Sequence, residues 1–150
     1  VELIKARKMV LVDGGRYLCK PVYIDNLLDG LVLCASVEAA IGEAINLTDD
    51  HPVAWRDFFG AYGRMLNINA FPALPYPAAW VLAYFNEIGA RLRGQTTGLN
   101  RAAVNALRNN NSFSNKKAKE LLGWTPAIDF NQGMRRTEAW LRANQYLSGN

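Results

Sequence analysis

The sequence predicts a mainly helical α+β chain with a β-hairpin near its start and a few other short strands. Apolar residues recur at helical spacing in six stretches between residues 25 and 142. Two short apolar runs flank an Asp-Gly-Gly turn at residues 13–15, which is typical of a hairpin. The chain has 150 residues, of which 50% are hydrophobic, and this is enough for one compact core. A single domain over residues 1–150 is therefore expected.

The hairpin is expected to pair residues 9–12 with residues 17–24 around the tight turn. Asp25 follows directly and is placed to cap the next helix. The apolar positions of this helix are expected to face the core: Leu27, Leu28, Leu31, Val32 and Ala35. After this helix, residues 44–48 are predicted to form a short strand.

An aromatic helix is predicted next, because aromatic and apolar residues repeat every three or four positions over residues 55–66. A proline-rich loop at residues 69–76 then leads to a helix that begins near Pro77. This helix carries one apolar side, formed by Val81, Tyr84, Phe85, Ile88 and Leu92. At its mouth lie candidates for a hydrophobic pocket wall, although ordinary core packing would explain them almost as well: Phe71, Leu74, Tyr76 and Trp80.

Three further helices are predicted from cap residues and apolar spacing. Asn100 caps the first, Asn115 caps the second and Asp129 caps the third. Gly123 is expected to end the second. The third is expected to bury a stripe formed by Met134, Thr137, Trp140 and Leu141.

Several kinds of chemistry are excluded by the sequence. None of the 12 glycines has the strand–turn–helix spacing of a dinucleotide loop, and no tyrosine is followed by a lysine four residues later. Cys19 and Cys34 have neither metal nor redox spacing, and the lone His51 lies in a polar turn. We therefore predict no catalytic, cofactor-binding or metal-binding residue in this chain.

The charge pattern indicates solvated helix faces more than a nucleic-acid site. Residues 91–142 hold ten Lys and Arg against three acidic residues, but aromatic residues do not alternate with them. Residues 67–86 carry no charge, yet Pro72, Pro75 and Pro77 break the run, so we predict no transmembrane segment. Two cysteines and no secretory signal favour a reduced, cytoplasmic chain. The chain opens at Val1, and we expect a longer protein with a missing part upstream.

Two stretches resemble the back half of the extended short-chain dehydrogenases/reductases, within the NAD-dependent epimerase/dehydratase group. They are KPVYIDNLLDG, from Lys20 to Gly30, and NKKAKELLGWTP, from Asn115 to Pro126. The order of the elements is most similar to the 3β-hydroxysteroid dehydrogenase branch. The resemblance implies a substrate-binding lobe cut from a Rossmann-type α/β fold. It also implies that NAD or NADP binds the absent N-terminal domain and that no cofactor binds this fragment, which alone is inactive.

The resemblance further implies site residues. The expected substrate-side wall comprises Tyr23, Phe71, Tyr76, Trp80 and Tyr84, and the expected scaffold comprises Asp25, Asn115, Ala118 and Gly123. We also expect the isolated fragment to self-associate, because strands and apolar helix faces would lose their neighbours.

The substrate class stays open between two possibilities within the family. Nucleotide-sugar enzymes of this group carry an arginine where Cys19 stands, and an Arg followed closely by Gly-Asp where Arg108-Asn109-Asn110 stands. These departures favour a sterol-like or isoprenoid-like alcohol or ketone. A nucleotide-sugar epimerase or dehydratase fragment is the alternative, since Arg101 or Arg108 could reach a phosphate. An independent basic binding module is a third possibility.

Overall fold

The computed structural model describes residues 1–110 and 113–147. The chain divides into two compact units. The first unit comprises residues 1–18 and 54–110, and the second comprises residues 19–53 together with the described residues from 113 onward. The elements in chain order are α1 Glu2–Lys5, β1 Leu11–Val12, β2 Leu18–Cys19, α2 Ile24–Ser36, β3 Val53–Ala54, α3 Trp55–Met65, β4 Ala73–Leu74, α4 Tyr76–Leu92, α5 Arg101–Arg108, α6 Lys116–Leu122 and α7 Phe130–Ala143.

The first unit is organised around a short parallel pair of strands. Leu11 of β1 lies opposite Ala73 of β4, and Val12 lies opposite Leu74. A left-handed turn follows β1, and the carboxylate of Asp13 in this turn accepts a hydrogen bond from the backbone N of Tyr76, at 2.7 Å. The start of α4 is therefore capped by a side chain from a distant part of the chain.

The core of the first unit lies between β1, α4 and α5. Val12, Ala79, Ala83 and Val104 are buried there. Ala79 and Ala83 are one helical turn apart, and their small side chains let α4 approach its neighbours closely.

The second unit buries a core between α2, α6 and the extended segment before β3. Ala118, Leu122 and Trp124 are its most buried apolar residues. A Cβ added at Gly30 of α2 would lie 2.7 Å from the side chain of Leu47 and 3.1 Å from Trp124. No larger residue fits at this crossing without displacing the core.

The six predicted helices are present, and several of their predicted ends are confirmed. The side chain of Asn100 accepts from Ala103 N, and that of Asp129 accepts from Gln132 N. Gly123 ends α6 in the left-handed conformation, at φ 63°. The family resemblance and the mainly helical α/β fold class are both supported by these elements and by the relatives described below.

The predicted hairpin is wrong. Residues 11–12 and 18–19 are strands, but β1 pairs with β4 and lies in a different sheet from β2. The turn at Asp13–Gly15 sends the chain away from β1 instead of folding it back. The strand that pairs with β1 is the two-residue strand β4, which lies inside the segment predicted to be a proline-rich loop.

The strand predicted at residues 44–48 is also absent from the described structure. Ile45 and Leu47 of this segment still pack against the core of the second unit. Alternating burial thus persists without a neighbouring strand to pair with among the described residues, and pairing is what defines a strand.

Two predicted caps have other roles. Asp25 lies inside the first turn of α2 and forms an ion pair with Arg136, at 2.8 Å, while the capping position is Tyr23. The amide of Asn115 makes no cap bond, and its Nδ2 donates to Thr48 O and Asp50 Oδ1, both at 2.8 Å. Both side chains hold distant segments together.

The predicted core face of α2 is wrong, and that of α7 is right except at Trp140. In α2 the buried residues are Asn26 and Gly30, whereas Leu28, Leu31 and Val32 are exposed. In α7 Leu141 is buried as predicted, but Trp140 is exposed and stacks on Tyr146. Helical spacing located each apolar stripe but did not determine which side of the helix the chain covers.

Across residues 1–110 and 113–147, no helix has both the length and the apolar character needed to cross a bilayer.

Candidate functional site

Three of the predicted wall residues form a row along α4 of the first unit. Tyr76, Trp80 and Tyr84 recur every four residues, so they share one side of the helix. The rings of Trp80 and Tyr84 are stacked, with centroids 6.0 Å apart and an interplanar angle of 6°. The row is half-buried at Tyr76 and Trp80 and exposed at Tyr84.

Arg101 of α5 covers the outer part of this row. Its guanidinium carbon lies 5.3 Å from the ring centroid of Trp80 and 5.1 Å from that of Tyr84. Glu87 binds the same arginine through Nε and Nη2, both at 2.9 Å, and also accepts from its backbone N. The backbone bond and the guanidinium lower the pKa of Glu87. The charge of Arg101 is therefore already neutralised.

Arg108 differs from Arg101 because none of the described carboxylates forms an ion pair with it. Its guanidinium carbon lies 4.2 Å from the ring centroid of Tyr76. Hydrogen bonding to the hydroxyls of Tyr17 and Tyr76 raises the pKa of Arg108 above its ordinary value. An exposed guanidinium without a carboxylate partner can hold an anion by forked hydrogen bonds.

A hydrogen-bonded group surrounds this arginine. The Tyr76 hydroxyl lies 2.8 Å from Asn105 Oδ1, and the Tyr17 hydroxyl lies 3.2 Å from Asp13 Oδ2. Arg16 forms an ion pair with Asp13, at 3.6 Å. The phenols of Tyr17 and Tyr76 are thus held in fixed orientations within the first unit.

Phe71 lies apart from the row and packs against α3. A Cβ at Gly63 of α3 would be 2.9 Å from Phe71 Cζ and 2.5 Å from Ile68 O. Gly63 therefore lets the chain after α3 fold back tightly. This contact fixes the ring of Phe71 against the helix.

Tyr23 belongs to the second unit, where its ring packs on α7. A Cβ at Gly133 would lie 2.8 Å from Tyr23 Cδ2, and Arg136 lies 6.0 Å from the ring centroid. Its backbone N donates to Asp49 Oδ2, at 3.2 Å. The structure thus places four predicted wall residues in the first unit and Tyr23 in the second.

Asn26 of the second unit makes four buried side-chain hydrogen bonds, and the sequence predicted no role for it. Its Nδ2 donates to Asp49 Oδ1 and Ile128 O, and its Oδ1 accepts from Ala127 N and Ile128 N. Its backbone O accepts from Trp124 Nε1. Only 1% of its surface is exposed. One side chain thus ties α2 to Asp49, 23 residues later, and to Ala127 and Ile128, about a hundred residues later.

A cleft of about 500 Å³ lies beside this network in the second unit. It is lined by Pro21, Asp49, Asp50, His51 and residues 126–131. Burial raises the pKa of Asp49, although hydrogen bonds from Asn26 and the Tyr23 backbone oppose the shift. Asn115 and Lys119 lower the pKa of Asp50. The neighbouring carboxylates therefore differ in proton affinity, and no cluster of metal ligands occurs among the described residues.

Two predicted scaffold residues occupy structural positions. Ala118 is fully buried in the core of the second unit, and Gly123 provides the left-handed end of α6. Cys19, which the family resemblance aligns with a phosphate-binding arginine, is buried, and burial raises the pKa of its thiol. A neutral buried thiol offers nothing to a phosphate.

No family model matches this sequence. A 4-hydroxy-2-methyl-3-oxo-4-farnesyl-3,4-dihydroquinoline-1-oxide ketoreductase of Stigmatella aurantiaca is 29% identical over 138 residues, which cover 89% of this chain and 41% of that protein. A 3β-hydroxysteroid-dehydrogenase/decarboxylase of Arabidopsis thaliana is 28% identical over 147 residues, covering 87% and 32%. A decarboxylating sterol-4-α-carboxylate 3-dehydrogenase of Saccharomyces cerevisiae is 28% identical over 132 residues, covering 79% and 37%.

Two solved structures share the fold. An epimerase of Methanothermobacter thermautotrophicus aligns with a TM-score of 0.66 and 18% identity, covering 97% of this chain and 36% of that one. A UDP-glucose 4-epimerase of Thermotoga maritima, solved with UDP-glucose, aligns with a TM-score of 0.61 and 17% identity, covering 96% and 38%. The chain thus spans about a third to two fifths of the length of the proteins it matches.

Proposed function

We infer that this chain, which belongs to the extended short-chain dehydrogenase/reductase superfamily, is the substrate-binding part of an NAD(P)-dependent oxidoreductase acting on an apolar alcohol or ketone. The similarity of about nine tenths of the chain to a ketoreductase and to a steroid dehydrogenase carries this proposal. The printed names of three of the relatives describe a farnesyl-bearing quinoline, a hydroxysteroid and a sterol carboxylate.

The proposal includes a missing N-terminal Rossmann domain as the partner that binds NAD or NADP and supplies the reacting groups. The chain contains neither a dinucleotide loop nor a spaced tyrosine–lysine pair. Two features of the second unit support an absent neighbour. The outer side of α2 exposes Leu28, Leu31 and Val32, and residues 44–48 run extended without a strand partner among the described residues.

Within the first unit, the proposed substrate contacts are Phe71 and the row Tyr76, Trp80 and Tyr84. The segment that carries them is uncharged from residue 67 to residue 86, which suits an apolar substrate. One side of the row is already stacked on Arg101 and Arg108, so a substrate would meet the remaining ring edges. Tyr23 in the second unit stays a prediction as a wall residue.

The second candidate is a fragment of a nucleotide-sugar epimerase or dehydratase. Arg108 favours it, because its guanidinium is exposed, lacks a carboxylate partner among the described residues and lies beside two phenols. Arg101 does not favour the second candidate, because its guanidinium already forms an ion pair with Glu87. Cys19 also argues against a sugar nucleotide, because a buried thiol replaces a second phosphate ligand.

Thermal unfolding with added ligands separates the two candidates. The probes are a steroid ketone, a farnesyl-bearing ketone and UDP-glucose, tested on the wild-type chain, on Arg108→Gln and on the control Arg64→Gln, another exposed arginine of the first unit. We expect the apolar ketones to raise the melting temperature of all three proteins. A rise with UDP-glucose that only Arg108→Gln abolishes would favour the epimerase instead.

A separate experiment tests the proposal that the upstream domain binds the cofactor and supplies the reacting groups. The 150-residue chain should show no oxidation of NADH or NADPH with any ketone, because it lacks the residues that bind and use them. Joined to the upstream domain, the same chain should restore turnover. Measurable hydride transfer by the chain alone would contradict the proposal.

A further inference from the structure

Asp49 of the second unit is a buried carboxylate whose charge is not balanced by any of the described residues. Only 9% of its surface is exposed, and none of the described cations forms an ion pair with it. Its two oxygens accept hydrogen bonds from Asn26 Nδ2, at 2.9 Å, and from the backbone N of Tyr23, at 3.2 Å. Both donors are neutral, so the carboxylate is hydrogen-bonded while its negative charge is retained.

The neighbouring carboxylate shows the more usual arrangement. Asp50 forms an ion pair with Lys119 and accepts a hydrogen bond from Asn115 Nδ2. These two partners lower the pKa of Asp50, whereas burial raises the pKa of Asp49. A charge held away from water is costly, and proteins normally place an opposite charge beside it. Among the described residues, Asp49 therefore has hydrogen-bond partners but no counter-ion.

Asp49 also lines the cleft of about 500 Å³ in the second unit. Binding sites for small ligands commonly have volumes of about 300–1,000 Å³. Five of the ten lining residues are apolar, three are aspartates, and none of the described lysines or arginines lines the cleft. The cleft thus offers a buried negative charge with apolar surface around it.

We propose that this cleft binds a small organic cation, either an alkylammonium or an alkylguanidinium. The charged group donates hydrogen bonds to the remaining lone pairs of the Asp49 carboxylate, since each oxygen accepts only one bond from the described residues. The alkyl stem packs on the apolar lining, which includes Pro21, Pro126 and Phe130. The site lies wholly within the second unit, so this inference is independent of the proposed function.

The surroundings of Asp49 favour an organic cation over a metal ion. Asp50 is already bound by Lys119 and Asn115, and Asp129 Oδ1 accepts from Gln132 N at the start of α7. No group of three or more metal-ligating side chains occurs among the described residues. One available carboxylate can hold an ammonium or guanidinium group, whereas a bound metal ion needs several protein ligands.

An NMR titration of the ¹⁵N-labelled 150-residue chain tests the proposal. Butylammonium and butylguanidinium are the probes, and butan-1-ol is the control because it has the same stem and no charge. Both cations should shift the backbone signals of residues 49–51 and 127–131 in a saturable way. Butan-1-ol at the same concentrations should leave these signals unchanged.

Two variants test the role of the carboxylate. Asp49→Asn keeps the shape and removes the charge, and it should lower the affinity for butylammonium about tenfold. Ala127→Lys introduces an ammonium group at an exposed residue of the cleft lining, where it should compete with the probe and lower the affinity to a similar extent. Thr125→Lys is the matched control, because Thr125 is exposed and does not line the cleft. It adds the same charge and should leave the affinity unchanged.

Circular dichroism and the melting temperature check that every variant folds. Ala127→Lys retains Asp49 and both of its hydrogen bonds, so it tests the site even where Asp49→Asn does not fold. Equal shifts with butylammonium and butan-1-ol, or the absence of a saturable shift, would overturn the proposal. Undiminished binding by Ala127→Lys, or an equal loss in Thr125→Lys, would overturn it as well. None of these readouts depends on dehydrogenase activity.

Discussion

Replacing Asn26 by alanine should destabilise the second unit more than any other single polar substitution tested there. The change removes four hydrogen bonds, two donated by Nδ2 and two accepted by Oδ1. Ile128 is 8% exposed, so its N–H and C=O would both be buried without a partner. Each such group costs about 1–3 kcal/mol, which gives an expected loss of about 4 kcal/mol in the free energy of unfolding.

Urea unfolding followed by tryptophan fluorescence measures this loss, because Trp124 donates to the backbone O of Asn26 and reports on the same region. Asn131→Ala is the matched control. Asn131 is exposed near the start of α7, and alanine is the better helix former, so its unfolding free energy should change by less than about 0.5 kcal/mol.

Asn26→Asp tests the same network through pH. A carboxylate keeps the two bonds from Ala127 N and Ile128 N but faces the carboxylate of Asp49 and an unpaired carbonyl. Repulsion raises the pKa of the pair, so the folded state takes up a proton more readily than the unfolded state. The variant should therefore be least stable at neutral pH and recover part of its stability as the pH falls. A loss below about 1 kcal/mol in Asn26→Ala, or a pH-independent Asn26→Asp, would refute the reasoning.

Three further substitution and titration experiments follow from local geometry. Gly63→Ala should lower the free energy of unfolding by about 2 kcal/mol, because the added Cβ would lie 2.5 Å from Ile68 O. Gly60→Ala in the same helix should be neutral or stabilising. Equal effects of the two substitutions would contradict the packing explanation. In a carboxylate NMR titration Asp49 should protonate at a higher pH than Asp50. Deprotonation of Asp49 should therefore lower the stability of the fold as the pH rises through its raised pKa, whereas protonation of Asp50 should lower it as the pH falls through its lowered pKa. The reverse order of titration would contradict this assignment. Asp13→Ala should destabilise the first unit by about 1 kcal/mol, because α4 loses its cap. Asp13→Asn should lose less stability, because asparagine tolerates the left-handed φ of 49° and can still accept a hydrogen bond from Tyr76 N. Thermal unfolding that ranks the two variants the other way would count against the cap.

The predictions of the hairpin and of the strand at residues 44–48 were wrong for the same physical reason. Strand pairing joins residues that are distant in the chain, and a two-residue strand such as β4 carries too little pattern to be found. The family resemblance rested on the two quoted stretches and on the order of the predicted elements, and that order included the hairpin. The relatives support the resemblance although β1 pairs with β4 and not with β2.

The candidate site was predicted only in part. The sequence placed Tyr76 and Trp80 at the mouth of the helix predicted to begin near Pro77 and Tyr84 on its apolar side, and the structure puts all three on one side of α4. The sequence did not indicate that Arg101 and Arg108 would stack on them, nor that Glu87 would bind Arg101 while Arg108 has no carboxylate partner among the described residues. A buried Asn26 could have been suspected, because it lies one turn before Gly30 on the same side of α2.

The sequence by itself determined the six helices α2 to α7, the caps at Asn100 and Asp129, the end of α6 at Gly123 and the absence of a dinucleotide loop. These features depend on residues within one or two turns of each other, and short-range sterics and hydrogen bonding decide them. Only the tertiary structure decided the partner of β1, the burial of Asn26 and the open faces of α2 and α4. Each of these depends on which distant segment comes to lie against a surface, and an apolar stripe looks the same in sequence whether it is covered or left exposed.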